Sequence, residues 1–301
     1  MYHRIVEPNT LPFPIEPGMY VRPETFKMQI NYLLENYSIV SLEEYIENID
    51  LAKKNRLVTL TFDDAWQDFY KNAYPILKDK NVPATVFIPT NFIETGNLFW
   101  SDKLAFCLSS NLKEEDRNAI HKVLSNYLEI EFKSDDSRDS ILTSIIPILK
   151  TLSIKVRDNL IKDLAEVAKI KFHKSIPPQF MDWAEIKEIQ EQSLIKFDCH
   201  SHQHEIATIL SEEEFQADVI KAQSILNEQG ITDIKYFCYP NESRTQSTDN
   251  ILKQLGFSNS LGRLNSDEKC DDLKMFNLNR IGIHEDITNN ASLFALRLLG
   301  I

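Results

Sequence analysis

Across residues 2–89 the chain alternates short β-rich apolar runs with stretches of helical spacing, and this rhythm constrains its fold more than any other feature. Arg56–Phe62 (RLVTLTF) and Pro83–Pro89 (PATVFIP) are rich in β-branched and aromatic residues, the mark of buried strands. A helical stretch from Asp68 to Lys80 separates them, with Pro75 expected to kink it. Upstream, Tyr2–Val6 and Tyr37–Leu42 read as strands on either side of a helix over Pro23–Tyr37. Ser41 and Glu44 form a capping box for a short helix after the second. Strands and helices in this order call for a parallel sheet with crossover connections. At 301 residues one α/β barrel is within reach.

From about residue 105 to 175 the rhythm stops. This segment is charge-rich, has one proline and no glycine, and shows helical spacing nearly throughout. Ile141, Ile145, Ile146 and Leu149 form one apolar stripe, and Leu160, Leu164 and Val167 another. It reads as an α-helical insertion within a single domain spanning residues 1–301, serving as a solvated face, a lid or a partner surface. The α/β pattern then resumes, with a helix over Trp183–Gln192 and a strand over Ile195–Cys199. A helix over Glu212–Glu228 and a strand over Tyr236–Tyr239 follow. Leu278–Ile283 reads as a late strand and Ser292–Leu299 as a closing helix.

The formal net charge of -12 argues against nucleic acid or an anionic membrane as partner, since both reward clustered Lys and Arg. No apolar run is long enough to insert into a bilayer. Cys107, Cys199, Cys238 and Cys270 form no close pair and read as reduced thiols. The opening residues lack a signal-peptide layout, so the expected location is cytoplasmic.

Two clusters carry the chemistry. Thr61-Phe62-Asp63-Asp64 ends a buried strand with adjacent carboxylates, a costly placement unless something compensates them. A helix cap with a solvated neighbour would explain the pair equally well. His200-Ser201-His202-Gln203-His204 also follows a strand, and in a helical turn His200 and His204 would share one face and could chelate one ion. A carboxylate with two imidazoles suits zinc, cobalt, nickel or iron and leaves positions open for water and substrate. The spare aspartate beside them would act as general base. Trp66, Trp100 and Tyr239 are the aromatics singled out to stack on a ligand, against the commoner role of such rings in packing.

With these motifs in this order, the chain resembles the polysaccharide deacetylases of the NodB-homology or carbohydrate esterase 4 group. TFDDAWQDFY through PATVFIP, FWSD at Phe99–Asp102 and HSHQH carry the likeness, which extends over nearly the whole chain outside the insertion. The resemblance implies a distorted (β/α) barrel. It implies Asp63 as catalytic base, and Asp64, His200 and His204 as ligands of one divalent transition metal, zinc foremost. The third family motif appears as Cys238-Tyr239-Pro240-Asn241, which implies the Asn241 backbone N–H as oxyanion donor. Cys238 stands where the family has an arginine, and Arg280 is the substitute candidate. Members with an opening Tyr-His strand use that histidine as general acid, which implies His3; His284 is the rival. Ala65 occupies a position where glycine is usual.

The expected reaction removes an acetyl group from an N-acetylated sugar, a cytoplasmic precursor in surface-glycan assembly. Two other classes stay open: an amidohydrolase acting on a formyl, carbamoyl or cyclic amide, and a catalytically silent glycan-binding protein.

Overall fold

The computed structural model describes every residue except 13, 14, 16, 109–113, 134–135, 173–175, 265–277 and 301. Pro14, Cys270 and parts of the 105–175 segment lie outside the described residues. The chain forms two compact units, one of Met1–Thr10, Glu16–Thr95 and Pro178–Ile301, the other of Leu11–Ile15 and Gly96–Pro177.

Among the described residues the first unit contains nine strands: β1 (Arg4–Ile5), β2 (Tyr20–Val21), β3 (Ser38–Ile39), β4 (Leu57–Val58), β5 (Thr61–Phe62), β6 (Ala84–Ile88), β7 (Ile195–Cys199), β8 (Tyr236–Arg244) and β9 (Asn259–Leu264). All their pairings are parallel, and β5 to β9 lie side by side in chain order. The run Arg56–Phe62 is not one strand. Leu57–Val58 pairs with β3, whereas Thr61–Phe62 joins β6, so the chain must break its extended course to change partners.

The sheet curls into a distorted barrel through its edges. Tyr2 bridges to Phe62, with its N–H donating to Thr61 O at 2.9 Å. At the far edge Leu278 bridges to Leu261. The Ile283 N–H then donates to Met1 O at 3.0 Å, which joins the last segment to the first. The expected strand Leu278–Ile283 is thus corrected to one bridge followed by irregular backbone. Parallel pairing brings the C-terminal ends of β5, β6, β7 and β8 to one rim, where sites in such folds are built.

Between β5 and β6 the expected kink takes a definite form. Phe69–Ala73 is one π-helical turn, and Tyr74–Asp79 continues as α-helix with Pro75 in its first turn. A proline lacks the N–H for the ladder and crowds the carbonyl four residues back, which the wider π turn accommodates.

The second unit is helical: Trp100–Cys107, Glu114–Leu128, Arg138–Leu149 and Ile154–Val167. Leu104, Ile120, Leu124, Ile145, Leu149, Leu160 and Leu164 are fully buried in its own core, with Ile146 and Val167 packed against it. The inserted segment therefore starts at Gly96 and buries its stripes against each other.

Candidate active site

The chain leaves β5 through a tight turn in which Asp64 (φ 76°) and Ala65 (φ 54°) both adopt left-handed backbone. Segment 179–181 holds this turn: Met181 N–H donates to Ala65 O (2.9 Å) and Gln67 N–H to Gln179 O (2.8 Å). Asp63 and Asp64 are buried, at 3% and 1% exposure. Trp66 is buried beside them. Its ring stacks on Phe180 at 4.5 Å, and the Arg4 guanidinium lies 4.2 Å from its centre. Its Nε1–H donates to Asp64 Oδ2 at 3.0 Å. A ring covered in this way offers no face to a sugar, so the expected stacking role of Trp66 is corrected to one of orienting Asp64.

After β7 the histidine segment does not form a helical turn. Ser201 (φ 67°) and His204 (φ 56°) are left-handed, and the loop is held from outside its own backbone. Asp218, on the helix Glu212–Glu228, accepts the N–H groups of His202 (2.8 Å) and Gln203 (2.9 Å). The loop beyond β6 donates Thr90 N–H to Ser201 O (3.2 Å) and Asn91 N–H to His202 O (3.1 Å). His200 and His204 converge through this loop geometry, not through helical spacing. His202 turns aside, its Nδ1 2.8 Å from Thr90 Oγ1.

His200 Nδ1 lies 2.7 Å from the Cys238 carbonyl oxygen, which can only accept. That nitrogen therefore carries the hydrogen, and Nε2 faces Asp64. Asp64 Oδ1 is 3.4 Å from His200 Nε2 and 3.1 Å from His204 Nε2, yet it is buried with no hydrogen-bond partner. Two ligands about 2.0–2.1 Å from one ion stand roughly 3.0–3.4 Å apart in octahedral or tetrahedral arrangement. The two carboxylate–imidazole distances and the donor types fit a divalent cation, and the three donor atoms lie within 4.8 Å of one another. Burial works against charge on Asp64, but the two imidazoles outweigh it and hold its carboxyl well below the usual range. Burial likewise opposes charge on His200, but Cys238 and the two aspartates outweigh it and raise its pKa. Positive charge is required at the centre of this cluster, and either a proton or a metal ion supplies it. A second grouping, Asp63, His200 and Cys238, has its donor atoms within 4.8 Å of one another.

Asp63 faces Arg280, whose Nη1 and Nη2 donate to Oδ1 (2.7 Å) and Oδ2 (2.8 Å) in a bidentate pair. The Cys238 thiol lies 3.6 Å from the same carboxylate. Arg280 thus supplies the contact that Cys238 cannot make. His3 Nε2 is 3.9 Å from Asp63 Oδ2 with its side chain 21% exposed, whereas the partner of His284 is Asp286, at 3.6 Å. Asn241 (φ 56°) and Glu242 (φ 56°) form the irregularity of β8 that interrupts its pairing with β9.

Tyr239 is corrected as a stacking residue. It is fully buried, its hydroxyl donates to Asp249 Oδ1 (2.9 Å), and its ring stacks on Phe215. Trp100 starts the first helix of the second unit and packs on that unit's core, with Arg157 4.9 Å from its ring centre. Sequence reasoning missed Asp218 and Glu242 because each acts through loops whose course no periodicity reports.

A sequence profile described as polysaccharide deacetylase matches residues 50–124 and 129–260, more than half of the chain. The chain belongs to the polysaccharide deacetylase family. Among curated proteins, a poly-beta-1,6-N-acetyl-D-glucosamine N-deacetylase of Staphylococcus epidermidis is 38% identical over 79 residues, covering 26% of this chain and 27% of that protein. The protein of the same description from Staphylococcus aureus is 27% identical over 136 residues, covering 44% of this chain and 46% of its relative. The matches thus span less than half the length of these relatives. Among solved structures, the Streptococcus pyogenes deacetylase PplD has a TM-score of 0.58 at 19% identity, covering 100% of this chain and 95% of its own. IcaB from Ammonifex degensii has a TM-score of 0.57 at 18% identity, with 99% and 93% covered. These likenesses carry the fold, a polysaccharide-deacetylase barrel.

Proposed function

We propose that this chain is a metal-dependent N-deacetylase of a β-1,6-linked poly-N-acetylglucosamine glycan. The observation that carries the reading is the orphaned Asp64 Oδ1 between two imidazoles, next to a carboxylate fixed by a bidentate arginine. The named substrate of the Staphylococcus relatives supports a polymer of N-acetylglucosamine over a small cytoplasmic precursor.

Asp64, His200 and His204 would hold the cation, zinc foremost by donor type. Bound there, a divalent cation supplies Lewis-acid polarisation of an amide carbonyl and lowers the pKa of water. Asp63 accepts the proton of the attacking water. Burial pushes its carboxyl up, but Arg280 outweighs burial and draws it down to about 2, so Asp63 is ionised at any working pH but only weakly basic. A weak base needs an acidified water, which is the chemical reason for metal dependence in this site. His3, 3.9 Å from Asp63, is positioned to pass that proton to the leaving nitrogen. Burial lowers the pKa of His3, so it rests neutral and can receive a proton. The Asn241 backbone N–H stabilises the oxyanion. The products are acetate and a glucosamine unit.

The test is acetate release from β-1,6-linked N-acetylglucosamine oligomers by the purified protein, with and without a chelator, beside Asp63→Asn. Release that stops in the chelated protein and in the variant is expected. Release that continues in both would overturn the mechanism, and release from a formamide panel alone would overturn the substrate.

A further inference from the structure

Arg280 needs more than Asp63 to hold it in place. It lies in irregular backbone beyond Leu278, so no strand ladder fixes its main chain. Two of its guanidinium nitrogens are committed to Asp63, which leaves Nε, buried and without a hydrogen-bond partner. Facing Nε at 3.5 Å is Oε1 of Glu242, likewise buried and unpartnered. The other oxygen of Glu242 lies 3.1 Å from Arg263 Nε, and Arg263 Nη2 donates to the main-chain oxygen of Arg280 at 3.4 Å. Glu242, Arg263 and Arg280 therefore close a ring that grips both the side chain and the backbone of Arg280.

Glu242 occupies its position against backbone preference. Its φ of 56° is left-handed, a conformation that glycine holds more stably than any side-chain-bearing residue. The neighbouring strand approaches so closely here that a Cβ on Gly262 would stand 3.1 Å from Glu242 O, so the irregularity cannot simply relax toward β9. Strain of this kind persists where the residue that bears it has a task.

We infer that Glu242, clamped by Arg263, is a positioning residue for the deacetylation reaction: it holds Arg280 in register so that the Asp63 carboxylate keeps its orientation toward the attacking water. The inference rests on Asp63 acting as base. Glu242 acts through Arg280, so its loss should lower kcat and leave KM unaltered. A misplacement of the base by a fraction of an ångström to one ångström costs on the order of 10-fold to 100-fold in rate.

The discriminating experiment compares Glu242→Gly, Glu242→Gln, Arg263→Gln and the double variant Glu242→Gln/Arg263→Gln with wild type, reading kcat, KM and Tm. Glu242→Gly removes the carboxylate while giving the backbone its preferred residue, so kcat should fall at least about 10-fold while Tm holds or rises. Glu242→Gln should lose kcat similarly with KM within about 2-fold. The double variant should lose no more than Glu242→Gln alone, because both substitutions break one clamp. Wild-type kcat in Glu242→Gly, or a loss of kcat that follows a loss of Tm across the series, would overturn the inference. Asp63→Asn separates the two readings. Turnover retained in Asp63→Asn defeats the base assignment itself, whereas an inactive Asp63→Asn with fully active Glu242 variants defeats the clamp alone.

Discussion

Asp63 and Asp64 are adjacent and equally deep, but their neighbours differ in kind. Asp64 faces two imidazoles and one indole N–H; Asp63 faces a guanidinium. The indole occupies Oδ2 of Asp64 and so reserves Oδ1 for the cation, a role that outer partners of metal ligands commonly fill. Trp66→Phe keeps an aromatic ring against Phe180 and deletes that hydrogen bond. Titration calorimetry with zinc should give an affinity about 10–100-fold weaker with an unchanged far-ultraviolet spectrum; equal affinity would remove Trp66 from the metal's support. The Asp63–Arg280 pair makes a pH-dependent contribution whose sign can be worked out. In the fold burial raises the Asp63 carboxyl but Arg280 overrides it, to about 2, against about 3.9 in an unfolded chain. The ionised group therefore stabilises the protein above about pH 4, and that contribution fades as pH falls toward 2. In Arg280→Met burial loses its largest opponent and only the pull of His200 and His3 stays against it, so the folded value rises toward the unfolded one and the stabilising contribution of the carboxylate above pH 4 shrinks. Tm measured on metal-free protein from pH 3 to 7 should diverge between wild type and variant, with the gap widening toward neutrality. Parallel curves would show that the guanidinium does not govern Asp63.

The turn after β5 is the element that sets the spacing of both carboxylates, and it does so with two consecutive left-handed residues, neither of them glycine. Replacing Ala65, at φ 54°, with glycine removes the contact between Cβ and the following carbonyl, a gain of roughly 1 kcal/mol or ~2–4 °C in Tm for a unit of this size. A lowered Tm would mean that chain entropy outweighs strain at this position. The buried strands and the capped helices were legible in the sequence because their periodicity and capping residues act locally: Ile195–Cys199 and Glu212–Glu228 fall where their patterns put them. The irregular stretches were not. His200 and His204 meet because Asp218 and the β6 loop shape their backbone, and a four-residue spacing is silent about such distant partners. Leu278–Ile283 has strand composition but divides its main-chain hydrogen bonds between β9 at its start and Met1 at its end. Aromatic residues gave the least information, since Trp66 and Tyr239 would look the same in sequence whether facing a sugar or a core. The buried partners Phe180 and Asp249 decide the matter.

At the scale of the molecule, two compact units with separate cores should respond differently to one ligand. The cation would bind only to the barrel unit, where Asp64, His200 and His204 lie, and only when that unit is folded. A ligand that binds native but not unfolded protein stabilises it by about 2.7 kcal/mol at one hundred times its Kd. For a unit near two hundred residues this corresponds to a rise of roughly 5–10 °C. The helical unit buries Leu104, Ile145, Leu160 and their neighbours without any of those ligands, so its own unfolding has no term in the metal. Differential scanning calorimetry of the full chain should therefore resolve two transitions, of which zinc moves the barrel's and leaves the other in place. His204→Ala should abolish the shift without altering the second transition, because His204 belongs to the barrel unit and the helical unit has a core of its own. A single transition that zinc moves as a whole would mean that the two units unfold together, and that the inserted helices draw stability from the metal centre across their connections. No shift in wild type at saturating zinc, cobalt or nickel would remove the cation from the site, leaving a protonated His200 as the charge that Asp64 requires.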